Sequence, residues 1–378
     1  RVIGPHNFAS RRSQSCTYER FGLDNRTILL LSPIDLRDSR ETRGNVRASC
    51  VLMVSLIIIA DYNNIIYITV FIIFQLPFIM NELGRQSSRR VIFDRVLGKG
   101  TFSTVYKALV EPDNEHIALK IVHLRNIVND LKTVQDCVNE ISNLKKLNHS
   151  NIIRCLWWDF SDFELKIGLE LATGGDLRRI IHEHYDMFSL IKESIIWSCA
   201  VQLSSALYHM HKSRIMHRDI KPANIFVYGL KEEKNSLYER WKGVKIKLGD
   251  FGFSKDITNG QDMTCRSVLG SPLYMSPERM LHQKYYFDSD VWSMACVIYE
   301  LVALQAPFHL NTLDMNLMTK RIINGFYPPI PSDIYSIKIT KFIDSCIIVD
   351  HKFRPNISQI LRVTRRGLAE SRNTEFSS

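Results

Sequence analysis

From Val91 the chain alternates apolar and polar residues in short runs: VIFDRVLG (91–98), STVYKALV (103–110) and HIALKIV (116–122). Period-two alternation over such lengths predicts strands, with turn residues between them. Over 126–147 the apolar positions recur at helical spacing, which predicts a helix. Beyond Gly175 the pattern is mostly helical, punctuated by Ser, Asn, Pro and Gly, and no internal repeat is visible. Residues 229–243 (GLKEEKNSLYERWKG) are charged and sit between two predicted strands, so they read as a surface loop insertion. The residues after Arg366 are polar and read as a loose tail.

Upstream the pattern is different. Residues 1–47 are polar and arginine-rich, with no period that marks a helix or strand, and read as weakly ordered. Two strongly apolar runs follow, 48–60 (ASCVLMVSLIIIA) and 65–80 (IIYITVFIIFQLPFIM), separated by Asp61, Tyr62, Asn63 and Asn64. A membrane-spanning helix needs about 20 apolar residues, which neither run reaches alone. Three readings are open for them: a membrane hairpin or tilted span, a buried core segment, or translated intron sequence. The last is favoured, and membrane contact is not expected. The chain begins with Arg1, which suggests a fragment or a processed product.

A chain of 378 residues with 45% apolar residues can bury one large core or two moderate ones. The formal charge of +10 permits acidic partners. The eight cysteines show no C-x-x-C pair, so neither a zinc site nor a compact disulfide framework is implied. A reduced, intracellular protein is the default reading.

Candidate chemistry narrows this picture. Gly98-Lys99-Gly100, preceded by Leu97 and followed by Thr101-Phe102-Ser103-Thr104-Val105, falls between two predicted strands. Glycines there let backbone amides approach phosphate oxygens, although a plain glycine hairpin explains the pattern as well. On the next strand Ala118 and Lys120 share a face: the first is small enough to roof an adenine, the second can reach phosphates. Glu140 lies in the helical run and offers that lysine a carboxylate partner.

The most specific run is His217-Arg218-Asp219-Ile220-Lys221-Pro222-Ala223-Asn224. A hydroxyl nucleophile needs a carboxylate to orient it and take its proton, a role for Asp219, and Asn224 offers an amide oxygen to Mg2+. Asp250, in Asp250-Phe251-Gly252, is a second candidate ligand, since Mg2+ prefers one or two carboxylates plus phosphates. Ser276-Pro277-Glu278 closes the segment that begins at Asp250. Glu278 has a plausible buried partner in Arg354, and Asp290 reads as a support for the catalytic-loop backbone.

Over residues 91–366 the chain resembles the eukaryotic protein kinase family. Within it, the chain is most similar to the NIMA-related serine/threonine kinases, especially their short members. The resemblance rests on LKKLNHSNII (144–153), LELATGGDLRRII (169–181), VQLSSALYHMHKSRIMHRDIKPANIF (201–226) and KLGDFG (247–252). SVLGSPLYMSPERM (267–280), ELVALQAPF (300–308) and YPPIPSDIYS (327–336) add to it. Among the departures, Phe251 stands where short members often have leucine and Ser271 where threonine is more usual. Residues 1–90 and 229–243 find no match.

The resemblance implies an α+β, bilobal protein kinase fold: an N-lobe antiparallel β-sheet with the αC helix, and a mainly helical C-lobe. The expected division is an extension (1–88), a kinase domain (89–366, lobes 89–172 and 173–366) and a tail (367–378). ATP and Mg2+ are the expected substrate and cofactor. Leu169 is then the gatekeeper, Glu170 to Ala172 offer a backbone carbonyl and amide to adenine, and Phe226 with Val105 and Ala118 sandwich the ring. Lys221 stands beside the transferring phosphoryl. Ser267 matches an activation-loop serine that an upstream kinase phosphorylates.

Protein substrates are expected, and nucleic acid is not. The resemblance places the protein in the cytoplasm, with the nucleus, spindle pole or microtubules as further sites of a mitotic role. An active enzyme is favoured over a kinase-shaped scaffold, because no metal-binding or base residue is missing.

Overall fold

The computed structural model describes residues 18–23, 26–31 and 90–375, apart from short stretches at 101, 125–130, 162–163, 232–236, 242, 253, 257–270 and 311–313. The chain divides into two units, Arg1–Asn81 and Glu82–Ser378. In the first unit Tyr18–Leu23 (β1) and Arg26–Leu31 (β2) form an antiparallel hairpin, with Leu23 opposite Arg26. This corrects the sequence reading of 1–47 as lacking a strand. The run Ile28-Leu29-Leu30-Leu31 is apolar without alternation, so a period-two search passes over it. The apolar runs 48–60 and 65–80, and Ser267, lie outside the described residues. Among the described residues no helix is long and apolar enough to cross a membrane.

The second unit starts with the predicted alternating runs. Arg90–Lys99 (β3), Ser103–Glu111 (β4) and Glu115–His123 (β5) pair antiparallel in sequence order. A helix, Leu131–Lys146 (α1), follows, then Cys155–Ser161 (β6) and Glu164–Glu170 (β7). The sheet order is β3-β4-β5-β7-β6. Ile117, Leu119 and Ile121 of β5 are buried with Ala108, Val110 and Trp157 in a small core. The alternation therefore assigns Ala118 and Lys120 to the opposite face.

From there the fold is mainly helical. Leu177–Asp186 (α2) is capped by Asp176, whose side chain accepts from the Arg179 amide. Glu193–Lys212 (α3) leads into two short strand pairs. Ile215–Met216 (β8) and Ile225–Tyr228 (β9) come first, then the short helix Leu237–Arg240 (α4), Lys245–Leu248 (β10) and Lys255–Asp256 (β11). Here β9 pairs with β10, and β8 with β11, both antiparallel. Pro277–Met280 (α5), Asp288–Ala303 (α6), Met315–Asn324 (α7), Ile337–Cys346 (α8) and Ile357–Glu375 (α9) complete the chain. Helix α6 is buried from Ser289 to Val302, and takes Asp290 and Glu300 inside along with its apolar side chains.

Two further sequence readings need correction. The 229–243 insertion is not only a surface loop: Trp241 is buried and its Nε1–H donates to Nε2 of His184 on α2 at 3.2 Å. Arg240 pairs with Glu183 at 3.3 Å, so the insertion is anchored on α2. One tryptophan among charges carries no periodic signal. The residues after Arg366 are not a loose tail, because α9 continues to Glu375. Gly367 explains the fit: a Cβ there would fall 2.6 Å from the Trp197 ring, so the helix lies directly on α3.

Candidate active site

Lys120 points from β5 to Glu140 on α1, with Nζ 2.8 Å from Oε1 and 2.9 Å from Oε2. The same ammonium lies 3.6 Å from Asp250. Burial works against the Lys120 charge, but Glu140 and Asp250 overcome it and raise the lysine above its ordinary range. Burial likewise opposes ionisation of Asp250, yet Lys120, His217 and Lys221 hold its carboxyl below the usual carboxylate range. The cleft thus presents a fixed ammonium and an ionised carboxylate side by side.

The turn between β8 and β9 gathers the second group. Asp219 Oδ2 accepts from Lys221 Nζ at 2.7 Å and from Asn224 Nδ2 at 2.9 Å, and its Oδ1 accepts from the Ser271 amide at 3.2 Å. Asn224 Nδ2 also donates to the Asp219 carbonyl at 2.8 Å. Pro222 opens the 3-10 turn Pro222–Asn224, where its missing amide hydrogen is no loss. Buried His217 has its pKa lowered by desolvation; its Nε2 bonds the Gly249 carbonyl at 3.0 Å, and its ring meets the edge of Phe251 at 5.2 Å. Arg218 and Asp250 both take the left-handed backbone conformation, with φ of +71° and +59°.

A supporting shell lies beneath. Asp290 accepts the backbone amides of His217 and Arg218, each at 2.9 Å, and bonds His211 Nε2 at 2.9 Å. Glu278 and Arg354 form a two-pronged pair at 2.8 Å on both prongs. Arg279 donates to the Arg218 carbonyl at 2.7 Å, and Tyr274 donates to Glu300 at 2.6 Å. Sequence reasoning named Asp290, Glu278 and Arg354, and passed over His211, Arg279, Tyr274 and Glu300. These four are ordinary helix or turn residues until the fold brings them to their partners.

The residues expected around adenine lie on four strands. Val105 (β4) stands opposite Lys120 in register, and Ala118 (β5) opposite Leu169 (β7). Phe226 (β9) lies against Gly249, where a Cβ would come within 2.7 Å of its ring. At the end of β7 the Glu170 amide is used by the Arg154 carbonyl at 3.1 Å, and its carbonyl accepts from the Tyr228 hydroxyl at 3.3 Å. The Glu170 carboxylate takes Lys247 at 2.7 Å and the Arg154 amide at 2.7 Å. Tyr228 and Lys247 therefore brace this segment, a role the sequence did not announce. Leu97, Gly98, Lys99 and Gly100 are exposed, and the Gly100 amide closes the turn on the Ser103 carbonyl at 2.7 Å.

The family model for the protein kinase domain matches residues 92–364. The chain belongs to the protein kinase family. The kinase is 37% identical over 270 residues to a probable serine/threonine-protein kinase nek2 of Dictyostelium discoideum, covering 70% of this chain and 60% of that protein. It is 32% identical over 269 residues to the mouse serine/threonine-protein kinase Nek4, covering 71% and 31%. It is 34% identical over 283 residues to the Arabidopsis MAP3K epsilon protein kinase 1, covering 73% and 19%. This kinase thus spans less than two thirds of the length of each of these relatives. The resemblance to NIMA-related kinases that the sequence carries is met by the first two.

Protein kinases as a family use ATP and Mg2+, and the donor set fits such a cation. The Asn224 amide group donates to Asp219, which leaves its amide oxygen available to a cation. Asp250 adds a carboxylate whose side chain is 39% exposed. One carboxylate and one amide oxygen, completed by phosphates, suit Mg2+.

Proposed function

We propose that this chain is a protein serine/threonine kinase, transferring the γ-phosphoryl group of ATP to Ser and Thr hydroxyls of protein substrates. The observation that carries the reading is the Lys120–Glu140 pair at 2.8 Å, set 3.6 Å from Asp250. Phosphoryl transfer asks little covalent chemistry of the protein; it needs positioning and charge neutralisation. Lys120, held by Glu140, aligns the α- and β-phosphates. Asp219 orients the incoming hydroxyl and accepts its proton, and Lys221 beside it neutralises charge on the transferring group. Asn224 and Asp250 are the residues that would hold Mg2+, which when bound offsets negative charge on the phosphates. Val105, Ala118, Leu169 and Phe226 would enclose the adenine, with the Glu170 carbonyl and the Ala172 amide on its polar edge.

Regulation by an upstream kinase at Ser267 belongs to the same proposal. A phosphate there would bring about −1.5 to −2 charges and could pair with Arg218, ordering the segment that leads to Ser271. A cytoplasmic place, with nuclear or spindle roles in mitosis, is supported by the resemblance to NIMA-related kinases alone.

The test is incubation of the full chain with Mg2+ and γ-labelled ATP on a generic protein substrate, followed by phosphoamino-acid analysis. Label on serine and threonine is expected. No transfer, even after Ser267 is phosphorylated, would turn the reading toward a kinase-shaped scaffold.

A further inference from the structure

We infer that Asn143 and Ser254 form an internal latch that holds helix α1 and the segment after Asp250 together in the arrangement the chemistry needs. The inference rests on the kinase reading above. Asn143 Nδ2 donates to Ser254 Oγ at 2.8 Å, across 111 residues of sequence. The Ser254 hydroxyl passes the chain on, donating to the Phe251 carbonyl at 2.7 Å. Asn143 and Ser254 are each 1% exposed and Phe251 is fully buried. Water has no access to replace a broken bond in this relay.

The position of Asn143 gives the relay its consequence. It lies three residues after Glu140, on the same face of α1. Any rotation or retreat of α1 that withdraws Glu140 from Lys120 also withdraws Asn143 from Ser254. That movement would strand a buried amide without its partner, and a buried polar group left unpaired is strongly disfavoured. The far end of the relay is equally placed. Ser254 lies four residues after Asp250 and next to β11, whose partner strand β8 leads directly into His217. One hydroxyl therefore couples the helix carrying Glu140, the turn carrying Asp250 and the strand pair that feeds the catalytic loop. It acts through Glu140 and Asp250, so Asn143 and Ser254 are positioning residues.

Both side chains are suited to the task. The serine hydroxyl uses its donor and an acceptor lone pair at once, and the asparagine amide supplies the donor it needs. A Ser254→Ala change removes the 2.8 Å bond and leaves the buried Asn143 amide only its long contact with the Ser254 carbonyl, at 3.5 Å. An Asn143→Leu change keeps the bulk and leaves the Ser254–Phe251 bond intact, so it removes the link to α1 alone.

The experiment compares the full chain with Ser254→Ala, Asn143→Leu, the double variant and Ser254→Thr. It measures kcat, KM for ATP, and amide hydrogen exchange of 131–146 against the remainder of the chain. Losing the link shifts the population of the competent arrangement, so each single change should lower kcat about fivefold to tenfold, with KM for ATP within about twofold. The double variant should be no worse than the poorer single, since both changes cut the same link. Ser254→Thr, which keeps the hydroxyl, should recover activity to within about twofold. Exchange should quicken selectively in α1, and this holds whether or not the substrate used is a good one. Unchanged kcat with unchanged α1 exchange would overturn the latch, as would a loss in kcat that follows a uniform rise in exchange. Should Ser254→Ala fail to fold, Asn143→Leu against Ser254→Thr decides by the same readouts. Transfer by the unmodified chain tests the kinase reading separately, so failure of the latch and failure of that reading are distinguishable.

Discussion

Asp290 holds Arg218 in a left-handed backbone conformation: its Oδ1 accepts the Arg218 amide at 2.9 Å, where φ is +71°. A non-glycine residue there carries about 1–3 kcal/mol of strain, which the surroundings must offset. Asp290 also takes the His217 amide and His211 Nε2, and Arg279 grips the Arg218 carbonyl. Burial opposes its ionisation, but His211, His217 and the backbone donors hold its carboxyl below the usual range. Strain next to Asp219 is thus stored by hydrogen bonds from α6 and α5.

Asp290→Asn keeps the size and presents an NH2 where an amide donor already points. The expected result is a stability loss of about 1–3 kcal/mol, with kcat reduced more than KM, because the loop bearing Asp219 relaxes. Urea unfolding and initial rates measure the two. An unchanged kcat would contradict the supporting role.

Arg354 has no exposed side-chain surface, bonds Glu278 on two prongs, and reaches the carbonyls of Ile348, Val349 and Asp288. Its guanidinium also sits over Trp292 at 4.9 Å. Removing one member of such a pair leaves a buried charge, so Arg354→Ala should destabilise the fold by about 3–5 kcal/mol. Chemical denaturation checks it, and a loss below about 1 kcal/mol would show the pair to be incidental.

Much of this site was legible because its residues sit close together along the chain or at fixed spacing. His217 to Asn224 form one octet, and Lys120 with Glu140 is reached by strand alternation followed by helical period. Asp290, Glu278 and Arg354 were named from their motifs. What stayed hidden depends on contacts with no local signature. His211 sits on α3 like any helix histidine until α6 brings Asp290 to it. Tyr228 and Lys247 read as ordinary strand residues until their hairpin meets Glu170. Trp241 was masked by the charges around it, and the hairpin at 18–31 lacks the alternation that reveals a half-buried strand. The reach of α9 to Glu375 depends on a glycine fitting against Trp197, a matter of contact rather than of composition.

Glu300 is buried on α6, and desolvation raises its carboxyl to about 7 despite the Tyr274 hydrogen bond. A folded pKa raised above the unfolded value gives stability that is full below about 4.5 and is lost as pH rises through about 7. The neutral acid should therefore favour the fold by ~3 kcal/mol over the ionised form across that window. Glu300→Gln keeps an acceptor for Tyr274 and should remove this part of the pH dependence. Urea unfolding at pH 5 and pH 8 compares the two proteins. An equal pH dependence in both would refute the assignment.

Gly367→Ala tests the packing of α9. In an exposed helix the change would stabilise by roughly 0.5–1 kcal/mol. Here the new Cβ would meet the Trp197 ring at 2.6 Å, so a loss of about 1–3 kcal/mol is expected. A thermal melt gives the sign, and stabilisation would mean that α9 lies farther from α3 than described.

The central claim is that Asp219 serves phosphoryl transfer from ATP to a protein hydroxyl. The most direct measurement is the initial rate of label transfer from γ-labelled Mg-ATP by the full chain and by Asp219→Asn, with melting curves to establish that both are folded. The account predicts Ser/Thr labelling by the unmodified chain and a rate lower by about 10²–10⁴-fold in the variant. Equal rates in two folded proteins would contradict it.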